Sequence, residues 1–98
     1  MRVIEVRTDH NPRVINISAR TIENRMNNQV HEEVLPIEGT MSLSALKTDG
    51  LNPNSLLANL TGDDGYYGTV YFCGVWYSDL TQEQINDLLD WLEGETKK

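Results

Sequence analysis

The run Val70-Tyr71-Phe72-Cys73-Gly74-Val75-Trp76-Tyr77-Ser78-Asp79-Leu80, continued by Thr81 to Glu93, decides the fold. Its first part is apolar or aromatic at nearly every position. Placed in a strand, Val70, Phe72 and Trp76 fall on one face and Tyr71, Cys73, Val75 and Tyr77 on the other. A short run that is apolar on both faces predicts a central strand, covered on at least one side, over 69–77. Gly74 leaves a gap in the Phe72/Trp76 face, which suits a bulge or a close approach of the following helix.

The second part predicts a helix over 81–94. Thr81 is placed as the N-cap, with Gln84 three residues on to complete a capping box. Leu80 before the cap and Ile85 at the fourth helical position form a hydrophobic staple. Ile85, Leu88, Leu89 and Leu92 recur at spacings of three and four and make one apolar stripe. Glu83, Asp87 and Asp90 fall on the opposite arc, and Trp91 sits at the stripe's edge. Gly94 is the expected stop, with Lys97 and Lys98 beyond it suiting the negative end of the helix dipole.

Upstream, Arg2–Arg7 and Arg13–Ile17 alternate as strands and are joined by the turn cluster Thr8-Asp9-His10-Asn11-Pro12, which predicts a hairpin. Ile4 and Val6 share one face of the first strand, Glu5 and Arg7 the other. Ser18 is expected to cap a short helix over 19–27, with Ile22 and Met26 on its apolar side. Residues 30–37 read as extended, and Pro36 confines them to an edge. Residues 42–47 read as a helical turn. A firmer helix is expected from Asn52 and Pro53 to Gly62, with Leu56, Leu57 and Leu60 inward. The expected fold is therefore α+β. A small antiparallel sheet combines the N-terminal hairpin with the central strand 69–77, and the helix 81–94 packs on one face. A chain of 98 residues reads as a single domain spanning 1–98.

Composition narrows the function. The net charge is −7, and it is unevenly spread. Acids and bases balance over residues 1–47. Residues 48–96 hold no lysine or arginine, yet Asp49, Asp63, Asp64, Asp79, Glu83, Asp87, Asp90, Glu93 and Glu95 all fall there. That half disfavours direct binding to nucleic acid or an anionic membrane and favours a basic partner. A lone cysteine excludes an internal disulfide framework, and together with the lack of a signal-type or membrane-spanning apolar run it predicts a cytoplasmic protein.

No catalytic, metal or cofactor pattern emerges. His31-Glu32-Glu33 lacks the second histidine of a zinc helix, because position 35 is Leu. Asp63-Asp64-Gly65 lacks the alternating ligands of a calcium loop. Cys73 lies among apolar neighbours and reads as a buried structural thiol rather than a nucleophile. A non-enzyme without cofactor is expected.

Two binding readings remain. In the first, Asp79, Glu83, Asp87, Asp90 and Trp91 form a docking surface for a basic protein, such as one that binds nucleic acid. The acids on the helix recur about every 5–6 Å along the axis, like the phosphates of one DNA strand. An ordinary solvated helix face is the plain alternative. In size, charge and lack of catalytic residues, the chain resembles the small acidic inhibitors of phages and mobile elements. Those proteins mimic DNA in charge and block restriction or CRISPR proteins. In the second reading, Tyr66, Tyr67, Trp76 and Tyr77 form an aromatic pocket, with Arg20 and Arg25 as anion ligands, in an oligomeric domain that sequesters a small molecule or nucleotide. Aromatics serving simply as core are the plain alternative there.

Overall fold

The computed structural model describes residues 1–8, 10–46, 50–52, 54 and 66–96. Five strands and two helices follow in the order β1 (Arg2–Val6), β2 (Arg13–Asn16), α1 (Ala19–Arg25), β3 (Val30–Val34), β4 (Thr40–Ala45), β5 (Val70–Gly74) and α2 (Gln82–Thr96). The strands form one antiparallel sheet ordered β2-β1-β5-β4-β3. The expected α+β architecture, with the N-terminal hairpin, the central strand and the packed C-terminal helix, is the one observed.

β5 is central because it is apolar on both faces, and every residue in it is buried. On one face, Val70 and Phe72 join Ile4, Val6, Leu80 and the α2 stripe Ile85, Leu88 and Leu92. On the other, Tyr71 and Cys73 join Val3, Met41 and Leu43 beneath Ile22 of α1 and Met26 at its C-cap. The sheet is thus the middle of three layers. Ile15 and Ile17 pack on the α1 side with Val3, so the two apolar sets of the N-terminal hairpin serve opposite cores.

The local signals at the start of α2 are realised in full, whereas the helix runs through the expected stop at Gly94 to Thr96. Thr81 Oγ1 accepts from the Gln84 N–H at 3.1 Å, and Gln84 Oε1 accepts from the Thr81 N–H at 3.0 Å. Leu80 and Ile85 are both buried in the same core. Gln84 also donates to the Glu38 carbonyl at 3.2 Å, tying the start of α2 to the β3–β4 turn. Thr81→Ala is expected to lower stability by about 1 kcal/mol, seen as a lower urea midpoint. An unchanged midpoint would move the helix start to Ser78 or Asp79. At α1, Ser18 Oγ accepts from the Thr21 N–H, as its sequence predicts.

Three expectations change. The sequence predicts a helical turn over 42–47, but Thr40–Ala45 is strand β4. Its alternation places Met41 and Leu43 in the α1-side core, and Ser42 and Ser44, on the other face, are buried too. Sheet pairing on both sides overrides the weak local preference. The central strand ends at Gly74, short of 77. There the chain reverses through Val75, Trp76 and Tyr77, and Gly74 and Ser78 exchange backbone hydrogen bonds at 2.9 and 3.2 Å. The close approach at Gly74 is therefore made by Ser78: a Cβ at Gly74 would lie 2.3 Å from Ser78 Oγ. Trp76 consequently leaves the Phe72 face and stands 91% exposed at the tip. The helix expected from Asn52 to Gly62 lies largely outside the described residues.

Candidate functional site

The acidic arc of α2 is displayed as its periodicity requires. Burial of Ile85, Leu88 and Leu92 turns Glu83, Asp87 and Asp90 outward, and all three are exposed. Asp79 is exposed just before the helix, where its Oδ1 accepts from the Arg2 backbone N–H at 2.7 Å. Trp91 is partly buried, its ring tilted 44° against Phe72 with centroids 6.2 Å apart. It contributes an edge to the core and leaves the carboxylates as the outer face. Among the described residues, the ion pairs Arg13–Glu5 and Arg25–Glu5 use none of Asp79, Glu83, Asp87 and Asp90. Lys97 and Lys98 lie outside the described residues.

The six residues expected to form an aromatic, arginine-lined pocket are dispersed. Tyr66 is buried in the α2-side core, where burial raises its hydroxyl above the usual phenol range. That hydroxyl donates to Glu33 Oε2 at 3.0 Å. Trp76 is at the hairpin tip, and Arg20 is exposed on α1. Tyr77 packs at the edge of the α1-side core and donates its hydroxyl to the Glu32 carboxylate. Burial, first, and that carboxylate push its phenol further from ionisation. Trp76 and Tyr77 both adopt left-handed backbone, with φ of 62° and 57°, a region that bulky side chains seldom enter.

Arg25 and Tyr67 do meet, in a cavity of about 480 Å³ on the α1 side of the sheet. Its other walls include Glu5, Arg7, Arg13 and Tyr71, which sequence reasoning passed over. Glu5 is 3% exposed. Arg13, directly opposite it on β2, donates from Nε to Glu5 Oε1 at 2.8 Å, and its Nη2 lies 2.8 Å from the same oxygen. Arg25 Nη1 lies 3.8 Å from Glu5 Oε2 and donates to the Tyr71 hydroxyl at 2.8 Å. Burial raises the Tyr71 phenol, while the Arg25 hydrogen bond pulls it back. The same bond favours the charged guanidinium of Arg25. One signal for this cluster was present in the sequence: Glu5 and Arg7 share a strand face and Arg13 opens the next strand of the hairpin.

Cys73 is fully buried, and burial pushes its thiol up to about 12, so it is not poised as a nucleophile. His31 lies on the opposite face of the sheet from Cys73, by strand register. Among the described residues, no three histidine, cysteine or carboxylate side chains converge as a metal site. Among the described residues, no helix is long and apolar enough to cross a membrane. No protein-family model matches the chain, and no curated protein or solved structure is significantly similar to it.

Proposed function

We propose that this chain is a non-catalytic interaction protein that docks through the outer face of α2 on a basic protein surface. The carrying observation is that Glu83, Asp87 and Asp90 are exposed along one arc and paired with no described cation. A cationic groove that normally takes a DNA strand fits such a row, because the carboxylates repeat on a similar spacing and long-range attraction speeds encounter. An anti-defence inhibitor of the phage or mobile-element kind is the biological form this reading takes, with a restriction or CRISPR nuclease as the partner class.

The test is competition. The protein is titrated against restriction and CRISPR nucleases holding a fluorescent DNA duplex, at about 0.05 and about 0.3 M salt. Release of DNA that weakens steeply with salt is expected. A variant combining Glu83→Gln, Asp87→Asn and Asp90→Asn is expected to lose about tenfold or more in potency while keeping its urea midpoint, since exposed carboxylates contribute little to stability. Failure to displace DNA from any member of the panel, or full potency in the neutralised variant, would overturn the reading.

A second reading, capture of a small molecule, is favoured by a different observation: the cavity around Arg7, Arg13 and Arg25 lies on the other side of the sheet from α2. The two readings use separate surfaces and separate residues.

A further inference from the structure

We infer that this cavity binds a small organic anion, a phosphate or carboxylate carried on a flat ring, with Arg7 and Arg25 holding the charged end. The inference rests on the small-molecule reading and gives it a ligand class and a set of residues.

Charge comes first. Among the described residues of its lining, three guanidiniums, of Arg7, Arg13 and Arg25, stand with one carboxylate, that of Glu5. This is a local excess of positive charge on a protein whose net charge is −7. The contrast decides the size of the ligand. A polyanion would feel the repulsion of the whole molecule and gain little. A small anion seated in this half-open cavity lies closest to the arginines and feels them most.

Preorganisation comes second. A buried carboxylate is costly unless it is paired and hydrogen-bonded. Glu5 meets that condition through Arg13, with Arg25 3.8 Å away, so it holds the Arg13 guanidinium at the cavity wall and draws Arg25, which Tyr71 anchors, toward it. Glu5 is thus a positioning residue. Each guanidinium has five N–H donors. The hydrogen bonds use Nε of Arg13 and Nη1 of Arg25, with Arg13 Nη2 also close to Glu5, so donors remain on both. The side chains of Arg13 and Arg25 are 58% and 56% exposed, so these donors are reachable from solvent. Arg7 forms no ion pair with a described residue. A fork of this kind matches the paired oxygens of a carboxylate or phosphate.

The other described walls are mostly apolar or aromatic: Met26, Ala45, Leu51 and the rings of Tyr67 and Tyr71 share them with Gly68 and Thr69. Leu51 sits against Gly68, whose φ of +70° admits glycine readily; a Cβ there would lie 3.4 Å from Leu51 Cδ2. A ring can therefore lie against Tyr67 and Leu51 while its anionic group reaches the arginines. A volume of about 480 Å³ falls within the usual range for such ligands, roughly 300–1,000 Å³.

The test is calorimetric titration with 5′-AMP, adenosine, benzoate and inorganic phosphate. Saturable binding of AMP or benzoate is expected, with adenosine and phosphate weaker by about tenfold or more. Preference for AMP or for benzoate assigns the anionic group as phosphate or carboxylate. Arg7→Gln is expected to weaken binding by about tenfold without moving the urea midpoint, because Arg7 holds no described partner. Arg20→Gln, on the same layer but outside the lining, is expected to leave binding unchanged. If none of the four compounds binds, the small-molecule reading itself fails. If adenosine binds as tightly as AMP, or Arg7→Gln binds like wild type, the pocket stands but the anion assignment is overturned.

Discussion

Leu88→Ala is expected to lower the unfolding free energy by about 3 kcal/mol. Leu88 is fully buried and lies at the middle of the α2 stripe, between Ile85 and Leu92, in the core shared with Ile4, Val6 and Phe72. Truncation removes buried methyl groups and leaves a cavity that Phe72, wedged between strand and Trp91, cannot easily fill. Leu89 is the useful comparison. It belongs to the same stripe by spacing, but it is only partly buried and packs at the core's margin. Leu89→Ala is expected to cost about 1 kcal/mol, in line with its lesser burial. Urea denaturation of both variants decides the matter. A Leu88→Ala loss below about 0.5 kcal/mol, or a larger loss at Leu89, would mean that α2 is rotated about its axis from the position described here.

Asn54→Leu is expected to lose about 2–3 kcal/mol. Asn54 is fully buried, and its amide donates to the Val6 carbonyl at 3.0 Å and to the Gly68 carbonyl at 2.9 Å. Its backbone N–H donates to the Tyr66 carbonyl at 2.7 Å. One side chain therefore joins the end of β1 to the segment leading into β5. Leucine has a similar size but no donor, so two carbonyls lose a partner in a site from which water is excluded. The Asn54 Oδ1 has no hydrogen-bond partner among the described residues, so the two donors account for the residue's polar role. Because Gly68 and Tyr67 also wall the arginine cavity, the variant is expected to weaken anion binding as well as stability. A stability loss under about 1 kcal/mol by denaturation would show that the two carbonyls find other partners at little cost.

The parts of the fold that were legible in the sequence depend on residues close together in the chain. Thr81 and Gln84 are three apart, Leu80 and Ile85 five apart, and their geometry is fixed once a helix begins. The two-faced apolar run around Tyr71 and Phe72 announced a central strand because no other short element buries both sides. β4 was illegible for the opposite reason. Thr40, Ser42 and Ser44 are polar, yet all are buried, and only partners from β3 and β5 make that tolerable. Trp76 was misplaced because the reversal at 75–77 uses left-handed backbone at Trp76 and Tyr77, residue types that do not announce it.

The cavity was legible only in part. Glu5 and Arg13 lie on neighbouring strands of a short hairpin, but their pairing depends on a register two residues off the one a turn over 8–12 would set. Arg25 and Tyr71, by contrast, are 46 residues apart. Their contact exists because the sheet places β5 next to β1 and α1 over both, which no local pattern encodes. The acidic arc needed only the helical period, and its exposure followed.

The strand order has a consequence for the kinetics of folding. β1 pairs with β2, and β3 with β4, across short connections, so each hairpin can close early and independently. The two hairpins are neighbours in the sheet only through β5, whose partners include Ile4 opposite Phe72 and Leu43 opposite Tyr71. Pairings this distant in sequence carry a large loop-closure cost and slow the search. During synthesis, two finished hairpins would wait, with the edges of β1 and β4 that β5 later covers still open, until residues 70–74 have left the ribosome. The rate of folding is then set by the insertion of that last strand between them, and the interval before it is when the chain is most exposed to pairing with a neighbour.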